Sequence, residues 1–194
     1  NEFAVPTLFK ILMGELEPDA GTFKWGVSTS QSYFPQDNSA YFTDTEDSII
    51  RWLEQYSKDT TETYLRGFLG KMLFSGEDVY KPVQVLSGGE KVRCMLSRMM
   101  LSGANVVLLD QPTNHLDIHA IEWLEDFLMD CESLILVVSH DRHFLNTVCT
   151  NIVDVDYGGI KMYVGNYEFW YESSQMMQRL IRDQNKNCLL YTSP

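Results

Sequence analysis

Two short segments at a fixed separation do most to limit how this chain can fold. The first is Leu86-Ser87-Gly88-Gly89-Glu90; the second, about twenty residues further on, is Val106-Val107-Leu108-Leu109-Asp110-Gln111-Pro112, with Asn114-His115-Leu116-Asp117 behind it. Ser87 and the two glycines precede residues 91–101, where apolar side chains recur at three- and four-residue spacing, the pattern of an amphipathic helix. A helix N-terminus carries unpaired N–H groups and a partial positive charge of roughly half a unit. Glycine there lets an anion reach the backbone and the Ser87 hydroxyl adds a donor, so the segment predicts a phosphate contact.

Residues 106–109 form a short continuous apolar run, as expected of a parallel strand buried on both faces. Asp110 then leaves the carboxyl end of that strand, where open α/β sheets place their ligands. A carboxylate at that spot suits Mg2+ held against a nucleotide phosphate, as in P-loop nucleotidases. Residues 134–138 read as a second buried strand, which brings Ser139-His140-Asp141-Arg142 to the same sheet edge. A histidine there can donate to a terminal phosphate.

The LSGGE segment, the VVLLDQPTNHLD segment and Ser139-His140-Asp141-Arg142, in that order, resemble the signature, Walker-B, D-loop and switch-histidine motifs of ATP-binding cassette (ABC) ATPases. The resemblance implies an α/β fold: a P-loop NTPase-type ABC cassette with a mainly parallel core sheet, a helical signature subdomain and a C-terminal linker helix. It implies ATP and Mg2+ as cofactors, with Asp110 and Gln36 toward the Mg2+. Ser87, Gly88, Gly89, Glu90, Gln36, Asp110 and Asp117 are then expected at nucleotide, and Gln111 and His140 in catalysis. Cassettes of this family face each other head to tail. A second cassette is therefore the expected partner, and Ser87, Gly88 and Gly89 would serve a nucleotide held by that partner.

Two departures from the family pattern bear on activity. A working phosphate loop reads G-x-x-x-x-G-K-[ST], whereas this chain opens Asn1-Glu2-Phe3-Ala4-Val5-Pro6-Thr7. With Thr7 on the last residue of the family's GKTT, Val5 replaces the lysine and Pro6 the Mg2+-binding hydroxyl. MgATP binding by this chain is therefore expected to be weak, and the missing preceding strand implies a truncated start. The residue after the Walker-B aspartate, normally Glu in the family, is Gln111. An amide can orient a water but cannot take up its proton, which implies slow turnover.

Along the chain, residues 7–13 show helical spacing with Gly14 as a stop. Residues 21–26 and 31–35 read as short strands bounded by Gly and Pro, with Gln36 following at the family's Q-loop position. Residues 44–74 read as helical, Ile49, Ile50, Trp52, Leu53 and Tyr56 making one face and Leu65, Phe68, Leu69, Met72 and Leu73 another. Together with the signature helix they give a helical subdomain over about 44–101. Ile118, Ile121, Leu124, Phe127 and Leu128 mark another amphipathic helix. Residues 150–155 and 160–164 read as a closing strand pair around Gly158-Gly159.

Composition narrows the partners. At 194 residues the chain can bury one substantial core, and 44% hydrophobic with 22% charged is ordinary for a globular protein. No run approaches the roughly 20 apolar residues needed to cross a bilayer and no signal pattern opens the chain, so a soluble, cytoplasmic protein is expected. Cys94, Cys131, Cys149 and Cys188 lack C-x-x-C spacing and read as reduced thiols, not a zinc site or disulfide framework. A formal charge of −12 opposes a broad nucleic-acid surface, so any RNA contact is expected to be local or outside this chain.

Gly165-Asn166-Tyr167-Glu168-Phe169-Trp170 leads into a polar helix expected to reach Asn187. This wording resembles the start of the linker joining the two cassettes of ABC-F proteins, which have no membrane domains and act on the ribosome. It implies a cassette over 1–165, a linker over 166–187, no membrane partner, and a ribosome or rRNA partner reached through the linker and regions outside the chain. The implied role is regulation of translation through binding and slow hydrolysis of ATP. Two other readings fit the motifs: the nucleotide-binding subunit of a membrane transporter, and a degenerate cassette serving as an interaction module. Residues before the D-loop resemble a second ABC-F cassette and those after it the end of a first, which implies halves joined at the shared PTNHLD segment. Residues 188–194 resemble a translated adapter sequence and are expected to stand outside the fold.

Overall fold

The computed structural model describes residues 4–43, 46–114, 116–156 and 159–191. The chain divides into two compact units, Asn1–His140 and Asp141–Pro194.

The centre of the first unit is β2 (Val106–Asp110), whose five residues are all buried. An apolar run without polar alternation has no face to give to water, so it needs a neighbour on each edge and cover on each side. β1 (Gln31–Phe34) and β3 (Leu134–Val138) supply the edges, both parallel to β2, in the order β1-β2-β3. Phe34 pairs with Leu109, and Asp110 with Val138. This register brings the carboxyl ends of all three strands to one edge, where residues 35–36, 111–113 and 139–140 follow.

α1 (Ala4–Leu12) covers one face of the sheet. Its buried Phe9 joins Val106 and Leu108, alternate residues of β2, and Tyr33, Leu136 and Val138 pack against that cluster. Gly14, at φ 76, ends the helix as the spacing predicts, with the Glu15 N–H on the Lys10 carbonyl at 2.9 Å. Residues 21–26 are not the strand that their pattern predicts. No described strand pairs with them, and Trp25 instead donates its indole N–H to the Leu12 carbonyl at 2.8 Å and packs on the α1 cluster.

The expected helical stretch 44–74 breaks into α2 (Ile49–Glu54) and α3 (Glu62–Lys71); Asp44 and Thr45 lie outside the described residues. α2 ends in a turn at residues 55–56, and the Asp59 carboxylate shapes the approach to α3, accepting from the Thr61 N–H at 2.9 Å and hydroxyl at 2.7 Å, a local alternative to helical bonding. α4 (Gly88–Leu101) follows, and α2 contacts both α3 and α4. Ile49, Trp52, Leu53, Leu65, Leu69, Met95 and Met99 are all buried there. The Arg98 guanidinium lies 4.6 Å from the ring centres of both Tyr41 and Tyr56, tying the turn after Gln36 to α4 and α2. α5 (Ile118–Met129) carries the chain from β2 to β3.

In the second unit, α6 (Arg142–Val148) starts at Asp141, whose carboxylate accepts from the His143 and Phe144 N–H groups at 2.9 and 3.1 Å. β4 (Asn151–Asp156) and β5 (Gly159–Val164) form the expected antiparallel pair. Gly165 sits at φ 131, and a side chain there would meet Phe169 at 2.8 Å, so only glycine fits. α7 (Tyr167–Tyr191) begins with the Asn166 side chain accepting from the Phe169 N–H at 3.1 Å. The helix runs past Asn187, and residues 192–194 of the expected foreign tail lie outside the described residues.

Candidate nucleotide site

β2 ends in Asp110, only 2% exposed. Its Oδ2 accepts from the Tyr33 hydroxyl at 3.5 Å, while Oδ1 is buried and has no hydrogen-bond partner. Burial pushes this carboxyl above its usual range, against the lowering by the Tyr33 bond and by Lys10 and His140. Burial, followed by the Asp110 charge, pushes the Tyr33 phenol up to about 12, so it stays a donor. A buried polar atom left unpaired costs about 1–3 kcal/mol, more when charged, and a cation removes that cost. Among the described residues no three His, Cys, Asp or Glu side chains gather to hold a metal. The chemistry of Asp110 therefore fits a magnesium ion that would draw most of its ligands from outside the protein, as nucleotide-bound Mg2+ does. Gln36 is exposed, two residues beyond Phe34 on the same sheet edge.

Gln111 follows at φ 52, a left-handed conformation costing a non-glycine residue about 1–2 kcal/mol. Neighbours on β3 and just beyond it hold it there. Its N–H donates to the Val138 carbonyl at 2.8 Å, and its side-chain Oε1 accepts from the His140 N–H at 3.2 Å. The Thr113 and Ser139 hydroxyls, 3.2 Å apart, add a second tie between these two loops. The structure thus brings Asp110, Gln111 and His140 together, with the His140 side chain exposed.

The signature segment is built differently. Ser87 caps α4 in a reciprocal pair: its N–H donates to Glu90 Oε2 at 2.8 Å, and the Glu90 N–H donates to Ser87 Oγ at 3.3 Å. Lys81 Nζ lies 3.3 Å from Glu90 Oε1. Burial alone would lift the Glu90 carboxyl, but the Ser87 and Lys81 bonds outweigh it and hold the group below the usual carboxylate range. Ser87 and Gly88 are exposed. A Cβ at Gly89 would lie 3.7 Å from Leu116 and 4.0 Å from Ala120, an ordinary contact, so the helix does not itself require glycine there. Asp117 is spent on capping α5, accepting from the Ala120 N–H at 2.9 Å.

Residues 6–114, more than half of the chain, match the model of the ABC transporter family. The chain belongs to that family. As an ABC ATPase domain it has relatives that include the uncharacterized ABC transporter ATP-binding protein YkpA of Bacillus subtilis (strain 168), 52% identical over 93% of this chain and 34% of that protein. ABC transporter F family member 5 of Arabidopsis thaliana is 31% identical over 87% of this chain and 24% of that protein. ATP-binding protein Uup of Escherichia coli (strain K12) is 33% identical over 83% and 26%. The chain spans roughly a quarter to a third of the length of these curated relatives. Among solved structures, RNase-L Inhibitor matches with a TM-score of 0.66 and 25% identity, over 85% of this chain and 33% of that one. An archaeal ribosome recycling factor in complex with a ribosomal stalk protein shares the fold, with a TM-score of 0.65 and 24% identity, over 84% and 32%. ABC ATPase domains hydrolyse ATP and work in pairs. No described helix of this one is long and apolar enough to cross a membrane.

Two residues of the ABC domain near Asp110 carry no motif letter: Tyr33, bonded to it, and Lys10, which acts on its charge. Tyr33 pairs in register with Leu108, which shares a face of β2 with Asp110. Only the pairing of β1 with β2 reveals this, because in sequence Tyr33 is one more aromatic in a short strand.

Proposed function

We propose that this chain is a cassette of an ABC-F type protein that binds ATP with Mg2+, hydrolyses it slowly and acts on the ribosome in the cytoplasm. The buried, unpartnered Oδ1 of Asp110, beside a Gln111 held against His140, carries the nucleotide part of this reading. Asp110, with Gln36 beyond the neighbouring strand, would hold the cation, directly or through its waters. Magnesium bound there supplies charge neutralisation at the phosphates. His140, with its side chain exposed, would donate to the terminal phosphate. Ser87, Gly88 and Gly89 offer the exposed start of α4 to the nucleotide of a second cassette, while Glu90 and Asp117 serve these contacts indirectly by capping α4 and α5.

Slow turnover follows from the amide at Gln111. Its Oε1 accepts the His140 N–H, which leaves the second lone pair of Oε1 and the Nε2 donor for a water. A water that accepts a hydrogen bond is held in place, but its proton has no base to go to. The ribosomal part is supported by the F family relative, by the fold shared with a ribosome recycling factor, and by the aromatic start of α7, which we assign to a linker between cassettes.

ATP turnover of Gln111→Glu against the wild type, both carrying a G-x-x-x-x-G-K-T loop ahead of Leu8, tests the assignment. A rise of at least about tenfold is expected, since general bases contribute 10²–10⁴; an unchanged rate would remove Gln111 from the reaction. For the chain with its own residues 1–7, calorimetry is expected to show MgATP binding weaker than micromolar.

A further inference from the structure

We propose that Tyr33 is a positioning residue for the magnesium carboxylate: its hydroxyl ties down Asp110 Oδ2 and so leaves Oδ1 as the oxygen turned to the cation. This rests on the reading of Asp110 given above. Tyr33 and Asp110 lie on the same face of the sheet, since Tyr33 is opposite Leu108 and Asp110 is two residues on. The Tyr33 ring meets Phe9 of α1 edge-on, with centroids 6.2 Å apart and planes at 83°, which fixes where the hydroxyl points. That hydroxyl lies 3.5 Å from Oδ2. No other described group bonds the carboxylate, and Oδ1 has no partner at all. A buried carboxylate with one oxygen tied and the other uncommitted has a single orientation to offer. Without the tie the plane of the carboxylate can turn away from that orientation. Partners of this kind, one bond removed from a metal, typically change metal affinity 10–100-fold when lost.

Tyr33→Phe removes only the hydroxyl and keeps the ring against Phe9. The wild-type chain, Tyr33→Phe, Asp110→Asn and the double variant are titrated with MnATP, and paramagnetic broadening of the Gln111 amide signal is followed. The MnATP concentration for half-maximal broadening is expected to rise about tenfold in Tyr33→Phe, at least as much in Asp110→Asn, and no further in the double variant. A rise in Asp110→Asn with none in Tyr33→Phe overturns the positioning role and leaves the Asp110 assignment standing. No change in Asp110→Asn, or no broadening in the wild type, overturns both. Urea unfolding in EDTA gives a metal-free check: the Tyr33→Phe effect is expected to vanish in the Asp110→Asn background, whereas equal losses in both backgrounds would make Tyr33 a packing residue only.

Discussion

The two motif-bearing ends of this ABC domain are finished to opposite degrees. At the start of α4, Ser87, Glu90 and Lys81 satisfy one another, and the exposed Ser87 and Gly88 sit on a turn that is complete without a ligand. At the end of β2, Asp110 keeps a buried oxygen with no partner, and Gln111 is held in a left-handed conformation by bonds to Val138 and His140. A complete, exposed helix start is suited to presenting its backbone to something brought to it. A buried end with an unpaired charge is unfinished until a cation arrives. The difference is what the proposed division of labour requires, with the signature serving a partner's nucleotide and the Walker-B end its own.

The contrast breaks most readily at Asp110. In metal-free buffer at neutral pH, Asp110→Asn is expected to stabilise the fold by on the order of 2 kcal/mol, because it keeps the shape and removes the buried charge, which costs more to leave unpaired than a neutral amide. The sign follows from linkage: burial raises the folded carboxyl above its unfolded value, so the penalty is full above the folded value and disappears as the pH falls below the ordinary carboxylate range. Thermal unfolding at pH 7 and at acid pH checks this, and an equal gain at both would refute it. At the signature end the sign reverses. Ser87→Ala removes a working cap and is expected to cost about 1 kcal/mol, or roughly 2–4 °C in Tm for a domain of this size; no loss would mean that the turn is not complete as described. Lys81→Ala, which breaks an exposed ion pair with Asp78 and a partly buried one with Glu90, is expected to have the smallest effect. That effect should vanish in about 1 M salt, where the screening length is roughly 3 Å.

Much of the sheet was legible because residues 106–109 and 134–138 are apolar throughout, the pattern of parallel strands, although only β2 is fully buried and β3, expected to be buried as well, leaves Leu134 exposed and its other residues half-buried. Residues 21–26 have the composition of a strand, but a strand exists only with a partner, and Trp25 found the end of α1 instead. The end of α2 was hidden because apolar residues at helical spacing stand on both sides of it, Ile49 to Tyr56 and Leu65 to Leu73, although residues 57–63 between them are polar throughout and Asp59 bonds the start of α3. In the site, residue types and order pointed to Asp110, Gln111 and His140, since their chemistry lies in the letters. The backbone angle of Gln111, the commitment of its Oε1 and the Tyr33 bond depend on how three strands register, which no local pattern encodes.

The division of labour can be read directly from amide chemical shifts of the isolated chain during a MgATP titration at protein concentrations that keep it monomeric. The Asp110, Gln111 and His140 signals are expected to move, while Ser87, Gly88 and Gly89 stay in place until a second cassette is added. Early movement of Ser87, Gly88 and Gly89 with Asp110 and Gln111 unmoved would contradict the assignment of the two ends.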